Sequence, residues 1–270
     1  MKRIESRDNR TYRQLADLRQ PRVSREQGLV FLEGLRQCAD ALQSGARPVY
    51  ALLSDQAAGL PVCRDLLADL PATTEQLELP DHLFRTLCDT RQPQGIALVC
   101  RSPLLEQPDG PPAANGLYLV AEEIQDPGNL GTMIRSADAF GFDGVLMTTG
   151  TVYPFNDKVL RAAMGSCFHI PLLALPDITA IAEWLAAGPC PVPLLAADPN
   201  GTDCRPDRLP VPAALVIGNE ARGLSAEARR ICSRLVRIPM PGRAESLNAA
   251  AAAAILSYEL MRARSTMAKK

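Results

Sequence analysis

Histidine is scarce in this chain: its 270 residues include only His82 and His169. With so few imidazoles, a Ser-His-acid triad has little support, and no G-x-S-x-G stretch offers a nucleophile elbow. The eight cysteines (38, 63, 88, 100, 167, 190, 204 and 232) form no C-x-x-C pair. Scattered thiols without zinc-ligand spacing read as free cysteines in a reducing compartment. An excess of charge of one sign is also missing: 29 basic residues face 30 acidic ones, for a net charge of -1. The chain is therefore no polycation, and any nucleic-acid surface must be local. No apolar run is long enough to span a membrane, and the basic N-terminus lacks the apolar core of a secretory signal. A soluble cytoplasmic protein is the expectation. The sequence holds no G-x-x-x-x-G-K-[ST], which argues against P-loop chemistry.

What is present begins with a basic segment. Residues 1–25 carry eight Lys and Arg, among them Arg3, Arg7, Arg10 and Arg13, against Glu5, Asp8 and Asp17. Ile4, Leu15 and Leu18 can anchor one side of a helix. The segment reads either as a solvated helical arm (1–27) or as an arm that touches RNA phosphate. From 28 to 101, apolar runs alternate with helical patterns and predict a small α/β unit. The stretch SPLLEQPDGPPAANG is rich in Pro, Gly and polar residues and predicts a linker over 102–115.

Beyond it, short apolar strands (LYLVA, GVLMTT, IPLLAL, VPLLAAD, AALVI, LVRIPM) alternate with helices. That order predicts a parallel sheet covered on both faces over 116–270. Ligands of such sheets bind at the carboxyl ends of the strands, so the loops there hold the candidates. After LYLVA come Asn129 and, six residues on, Arg135. Asn129 suits a helix cap or the position before it, and the pair can share a site only if Arg135 reaches back toward the helix start. Gly128 and Gly131 do not make a G-x-G-x-x-G, and no acidic residue ends the next strand, so a dinucleotide fingerprint fails. After AALVI come Gly218, Asn219 and Glu220, a backbone opening beside a carboxylate, or else a plain turn with Ser225 capping the next helix. After LVRIPM come Ser246, Leu247 and Asn248, followed by Ala249 to Ala254. Ser246 or Asn248 can cap this helix. Six small side chains in a row also let a neighbouring backbone or a ligand approach closely.

Taken together, NLGTMIR (129–135), IGNEARGLS (217–225) and IPMPGRAESLN (238–248) resemble the motifs of the SPOUT class of RNA methyltransferases. They are most similar to the SpoU/TrmH family of ribose 2′-O-methyltransferases. NDKVLRAAMGSCFHIP (156–171) resembles the family's stretch between the first two motifs. FLEGLRQCADAL and TRQPQGIALV resemble the family's L30e-like substrate-binding domain. One departure is that Ala249-Ala250-Ala251 stands where the family often has Val-Ser-Val.

The resemblance implies S-adenosylmethionine as methyl donor, held in a deep trefoil knot against Gly218, Ile238, Leu247, Met240 and Ala197. It implies a ribose 2′-hydroxyl as acceptor and no metal, because the donor is already activated. Arg135 is then the residue nearest the chemistry, with Asn129, Glu220, Ser246 and Asn248 positioning it and the substrate. A homodimer is implied, with Arg135 acting across its interface. The additional N-terminal domain makes rRNA the expected partner. A tRNA target, methylation of a base nitrogen, or a non-catalytic RNA-binding protein of the same fold are the alternatives.

Overall fold

The computed structural model describes residues 1–267, which divide between Pro103 and Leu104 into two compact units. The first contains β1 (Lys2–Arg3), α1 (Arg10–Asp17), α2 (Pro21–Gln27), β2 (Leu29–Glu33), α3 (Leu35–Gln43) and β3 (Pro48–Ser54). It continues with α4 (Asp55–Ala58), α5 (Pro61–Ala68), β4 (Glu75–Leu79), α6 (Asp81–Leu87) and β5 (Ile96–Arg101). The sheet order is β1-β4-β3-β5-β2, with β5 antiparallel to both of its neighbours.

The basic segment is not a separate arm. Asn9 caps α1 by accepting from the Thr11 and Tyr12 N–H groups. That helix buries Tyr12 and Leu15 in one core with Ile4, Leu18, Phe84 and Leu87. Lys2 and Arg3 pair with Leu77 and Glu78 of β4. β4 (EQLEL) has too few apolar residues to stand out in the sequence. It forms because Leu77 and Leu79 are buried, while Glu75 and Glu78 meet the basic side chains of the edge strand.

The second unit contains β6 (Leu104–Leu105), β7 (Leu117–Ala121), α7 (Pro127–Ala139), β8 (Gly144–Thr148), α8 (Asp157–Ala163), β9 (Leu172–Leu175) and α9 (Ile178–Ala186). Then follow β10 (Leu194–Asp203), β11 (Ala213–Ile217), α10 (Ala226–Ile231), β12 (Arg234–Arg237) and α11 (Ala249–Met267). All seven strands are parallel, in the order β12-β10-β11-β7-β8-β9-β6. The expected linker thus contributes a strand, with Leu104 and Leu105 pairing with Leu172 and Leu173. α8 stops earlier than its pattern suggests, because Met164 and Gly165 both take positive φ. Among the described residues, no helix is long and apolar enough to cross a membrane.

The chain runs β7, β8, β9 to one side of β7 and then returns to place β11 on the other. The carboxyl ends of β7 and β11 therefore flank the point where the winding reverses, the usual place for a ligand in an open parallel sheet.

Candidate functional site

β11 ends in a loop built on close backbone approach. A Cβ on Gly218 would lie 2.5 Å from the Gly223 carbonyl carbon and 2.6 Å from the Leu224 nitrogen. The glycine is thus required by the loop's own return. Buried Asn219 holds that return: its Oδ1 accepts from the Ala221 and Arg222 N–H groups, and its Nδ2 donates to the Glu123 carbonyl at 2.8 Å. The loop leads into α10, whose cap Ser225 also donates its hydroxyl to buried Glu122 at 2.6 Å.

Glu220 projects from this loop to the start of α7. Its Oε2 accepts from the Gln125 N–H at 3.1 Å, and its Oε1 accepts from the Asp126 N–H and the Asn129 Nδ2, each at 3.0 Å. Burial pushes this carboxyl up, but the bonds from Asn129, Gln125 and Asp126 outweigh it and hold the group below its ordinary value. Glu220 is therefore an ionised brace. The cap of α7 is Asp126, which accepts from the Asn129 N–H. Asn129 stands inside the first turn, so its side chain is free to reach outward. Its Oδ1 accepts from the Nδ2 of Asn248 at 2.8 Å. Asn248 in turn caps α11, accepting on its Oδ1 from the Ala250 and Ala251 N–H groups. One hydrogen-bonded relay, Glu220–Asn129–Asn248, thus joins the loops that follow β7, β11 and β12.

The relay forms part of the wall of a cavity of about 490 Å³. Gly218, Ile238, Leu247, Met240 and Ala197 all line it, together with Asn129, Glu220, Ser246 and Asn248. Its remaining apolar wall includes Leu224, Val236 and Leu256. The alanines of α11 divide between two duties. Ala249 and Ala252 face the cavity, while Ala250 and Ala253 are buried in the helix's packing against the rest of the unit. That packing includes α7 and strands β7, β10 and β11. Small side chains let α11 lie close to its neighbours on one face and leave the cavity open on another.

Arg135 stands outside. It is exposed on α7, does not line the cavity, and makes no hydrogen bond or ion pair with any described residue. Asn129 lines the cavity and Arg135 does not. The N-terminal arginines also separate. Arg3 is held by Glu5, Asp55 and Glu78, and Arg13 by Asp8, whereas Arg7 and Arg10 are exposed and have no such partner among the described residues.

Asp198 is a cavity residue that reading the sequence missed. Its side chain is 1% exposed, and it is paired with Arg229 of α10. Its Oδ1 accepts from the Asn200 N–H at 2.8 Å. The signal was present, since Asp198 ends the apolar run VPLLAAD, where a carboxylate has no obvious structural reason. β10 continues beyond it through an irregularity between Ala197 and Thr202. There a Cβ on Gly201 would lie 2.5 Å from the Leu235 carbonyl carbon, so two backbones touch.

Comparison with known proteins is consistent along the chain. The SpoU rRNA Methylase family model matches residues 116–258, and the MRM3-like substrate binding domain model matches residues 9–98. A 23S rRNA (guanosine(2553)-2′-O)-methyltransferase of Bacillus subtilis is 34% identical, over 96% of this chain and 99% of that protein. Among solved structures, the SpoU methyltransferase AviRb of Streptomyces viridochromogenes, in complex with AdoMet, superposes with a TM-score of 0.86. It is 29% identical and is matched over 96% of this chain and 99% of its own. An AdoMet-bound rRNA methyltransferase of Sinorhizobium meliloti gives a TM-score of 0.82 at 30% identity, covering 97% of both chains.

Proposed function

The chain belongs to the SpoU rRNA methylase family, and from that premise we propose that it transfers a methyl group from S-adenosylmethionine to a ribose 2′-hydroxyl of ribosomal RNA. The observation that carries this reading is the Glu220–Asn129–Asn248 relay set in the wall of one cavity. The cofactors of the two related structures and the 2′-O-methyl activity named for the Bacillus subtilis relative point the same way.

The cavity suits the cofactor chemically. Its volume of about 490 Å³ falls in the range of small-molecule sites, roughly 300–1,000 Å³. Ile238, Leu224, Leu247 and Leu256 offer apolar contact to a flat base, and the ionised carboxylate of Glu220 favours a cation. When bound, S-adenosylmethionine supplies a methyl group already activated on a sulfonium, which leaves as a neutral thioether. The protein's part is orientation. Glu220, with both oxygens engaged by N–H donors, fixes the side chain of Asn129. Asn129 fixes Asn248, and Asn248 fixes the start of α11, so that Ser246 and Leu247 are presented to the cavity. Holding an acceptor hydroxyl in line with a donor accounts for much of the rate in such a transfer.

The reading extends to a homodimer in which Arg135 of a second copy completes each site. Its support is the exposed guanidinium of Arg135, which has no partner among the described residues and does not line its own chain's cavity. A guanidinium keeps its charge in proteins. Arg135 therefore serves to bind a phosphate or ribose oxygen and to stabilise developing negative charge. The reading also includes an L30e-like N-terminal domain and a trefoil knot in the C-terminal one. Support for the knot is the backbone-on-backbone packing of Gly201 against Leu235 and Val236, residues far along the chain. Mapping 2′-O-methyl sites across all cellular RNA, with and without this protein, tests the function. Loss of a site in rRNA is expected, and an unchanged rRNA map overturns it.

A further inference from the structure

The N-terminal unit has a cavity of its own, of about 450 Å³. It lies among the end of β3, the start of α6 and the loop that precedes β5. Ser54 and buried Phe84 line it, together with Gln56, Asp81, Arg85, Arg91 and Gln92. These five polar side chains are hardly used by the protein itself. The side chains of Gln56, Arg85, Arg91 and Gln92 make no hydrogen bond or ion pair with any described residue. Asp81 accepts one bond, from the Gln56 N–H at 3.3 Å. Asp81 and Arg85 lie four apart on α6, a spacing at which opposite charges often pair, yet no ion pair joins them.

The loop 91–94 is held in place at its end. Gly95 takes φ +77°, and a Cβ there would meet the Ser54 Oγ at 2.5 Å and the Ala57 Cβ at 2.7 Å. The Ser54 N–H also donates to the Gly95 carbonyl at 2.8 Å. Arg91 and Gln92 are thus carried on a loop whose return is fixed by packing.

We propose that this cavity receives one unpaired nucleotide of the RNA substrate. Arg85 and Arg91 bind the phosphates on either side of it, and Gln56, Gln92 and Asp81 read its base edge. The inference rests on the reading that the chain acts on ribosomal RNA. The chemistry selects an unpaired nucleotide over a duplex. Paired RNA keeps its base edges inside a helix, whereas loops and bulges can place a base in a pocket. Two guanidinium groups beside two amides and a carboxylate match a nucleotide's anionic backbone and its mixed donor–acceptor edge.

The test uses the full chain and fluorescence anisotropy with two probes: a labelled RNA hairpin with a single-stranded loop, and a blunt duplex of the same stem sequence. The wild type is expected to favour the hairpin. The double variant Arg85→Gln/Arg91→Gln is expected to lose roughly tenfold or more in hairpin affinity while duplex affinity changes little. Its salt slope should fall by about 1.4, at ~0.7 per single-strand phosphate contact. Gln92→Ala is expected to weaken the hairpin while keeping the wild-type slope. Circular dichroism and thermal unfolding of the full chain, matched to the wild type, verify that each variant is folded.

Folded variants that bind the hairpin as the wild type does overturn the proposal. So does equal loss for hairpin and duplex, which would mark a general basic surface. Binding of an acidic peptide that competes with the hairpin at equal strength would assign the cavity to a protein partner and overturn it too. A chain that shows the arginine-dependent hairpin preference but transfers no methyl group supports the pocket and refutes the enzymatic reading. A chain that methylates rRNA with unaltered variants does the reverse.

Discussion

The side-chain amide of Asn248 donates to the side-chain oxygen of Asn129 across 2.8 Å, joining positions 119 residues apart. The bond couples the first turn of α7 to the cap of α11, and Glu220 anchors its far end. Neither asparagine is an isolated cap residue, and the cavity wall depends on both.

Replacing either asparagine should therefore affect turnover more than stability. Asn129→Ala is expected to lower kcat by about 10²-fold, the cost typical of a misplaced catalytic geometry. Asn248→Ala should add a loss of about 1 kcal/mol in stability, because its capping bonds go too. Asn248→Asp keeps an acceptor for the Ala250 and Ala251 N–H groups but loses the donor to Asn129. It should melt near the wild type and still turn over slowly. Thermal unfolding and a methyl-transfer assay separate the two effects.

Arg135→Ala is expected to abolish methyl transfer while S-adenosylmethionine still binds in calorimetry, because Arg135 does not line the cavity. If a second copy supplies the guanidinium, two inactive variants should complement each other. Mixing and reassociating Arg135→Ala with Asn129→Ala should restore activity to about one quarter of the wild-type level, the share of intact sites in random dimers. Absence of any recovery would place Arg135 in its own chain's reaction.

Glu220 gives a pH signature. Its folded-state pKa lies below the ordinary carboxylate value, as the bonds from Asn129, Gln125 and Asp126 overcome the effect of burial. The unfolded chain then takes up a proton first. The stabilising contribution is complete above the unfolded value of about 4.3 and is lost as pH falls through the lower folded value. Glu220→Gln should be less stable than the wild type at neutral pH, and the gap should close in acid. Urea unfolding at neutral pH and below pH 4 measures it.

The glycines supply a packing test. Gly201→Ala and Gly218→Ala each set a Cβ about 2.5 Å from backbone atoms that cannot step aside. Each should cost at least about 1–3 kcal/mol or prevent folding. Gly242 has nothing within 4 Å of the same Cβ position, and Gly242→Ala should stay within about 0.5 kcal/mol of the wild type. Chemical denaturation of the soluble variants ranks them.

Much of the C-terminal unit was legible because its strands are short apolar runs separated by helices, and the polar residues at strand ends marked the loops that matter. What stayed hidden was long-range or pairwise. β4 is half polar, and EQLEL is a strand because it pairs along its length with β3 and, on its other side, with Lys2 and Arg3. The basic start of the chain looked solvated because its apolar residues, Ile4, Tyr12, Leu15 and Leu18, are widely spaced, although they enter one core. Asn129 was legible as a polar residue near a helix start, but its bond to Asn248 belongs to the tertiary fold. Asp198 was visible as a carboxylate at the end of an apolar run, but its burial, its pairing with Arg229 and its place in the cavity belong to the tertiary fold.

The most direct measurement is transfer of tritiated methyl from S-adenosylmethionine to unmodified rRNA by the purified protein, followed by digestion to nucleosides. The account predicts label on a 2′-O-methylated ribose, and none with Arg135→Ala. Label on a base nitrogen, or labelling that persists in Arg135→Ala, would contradict it.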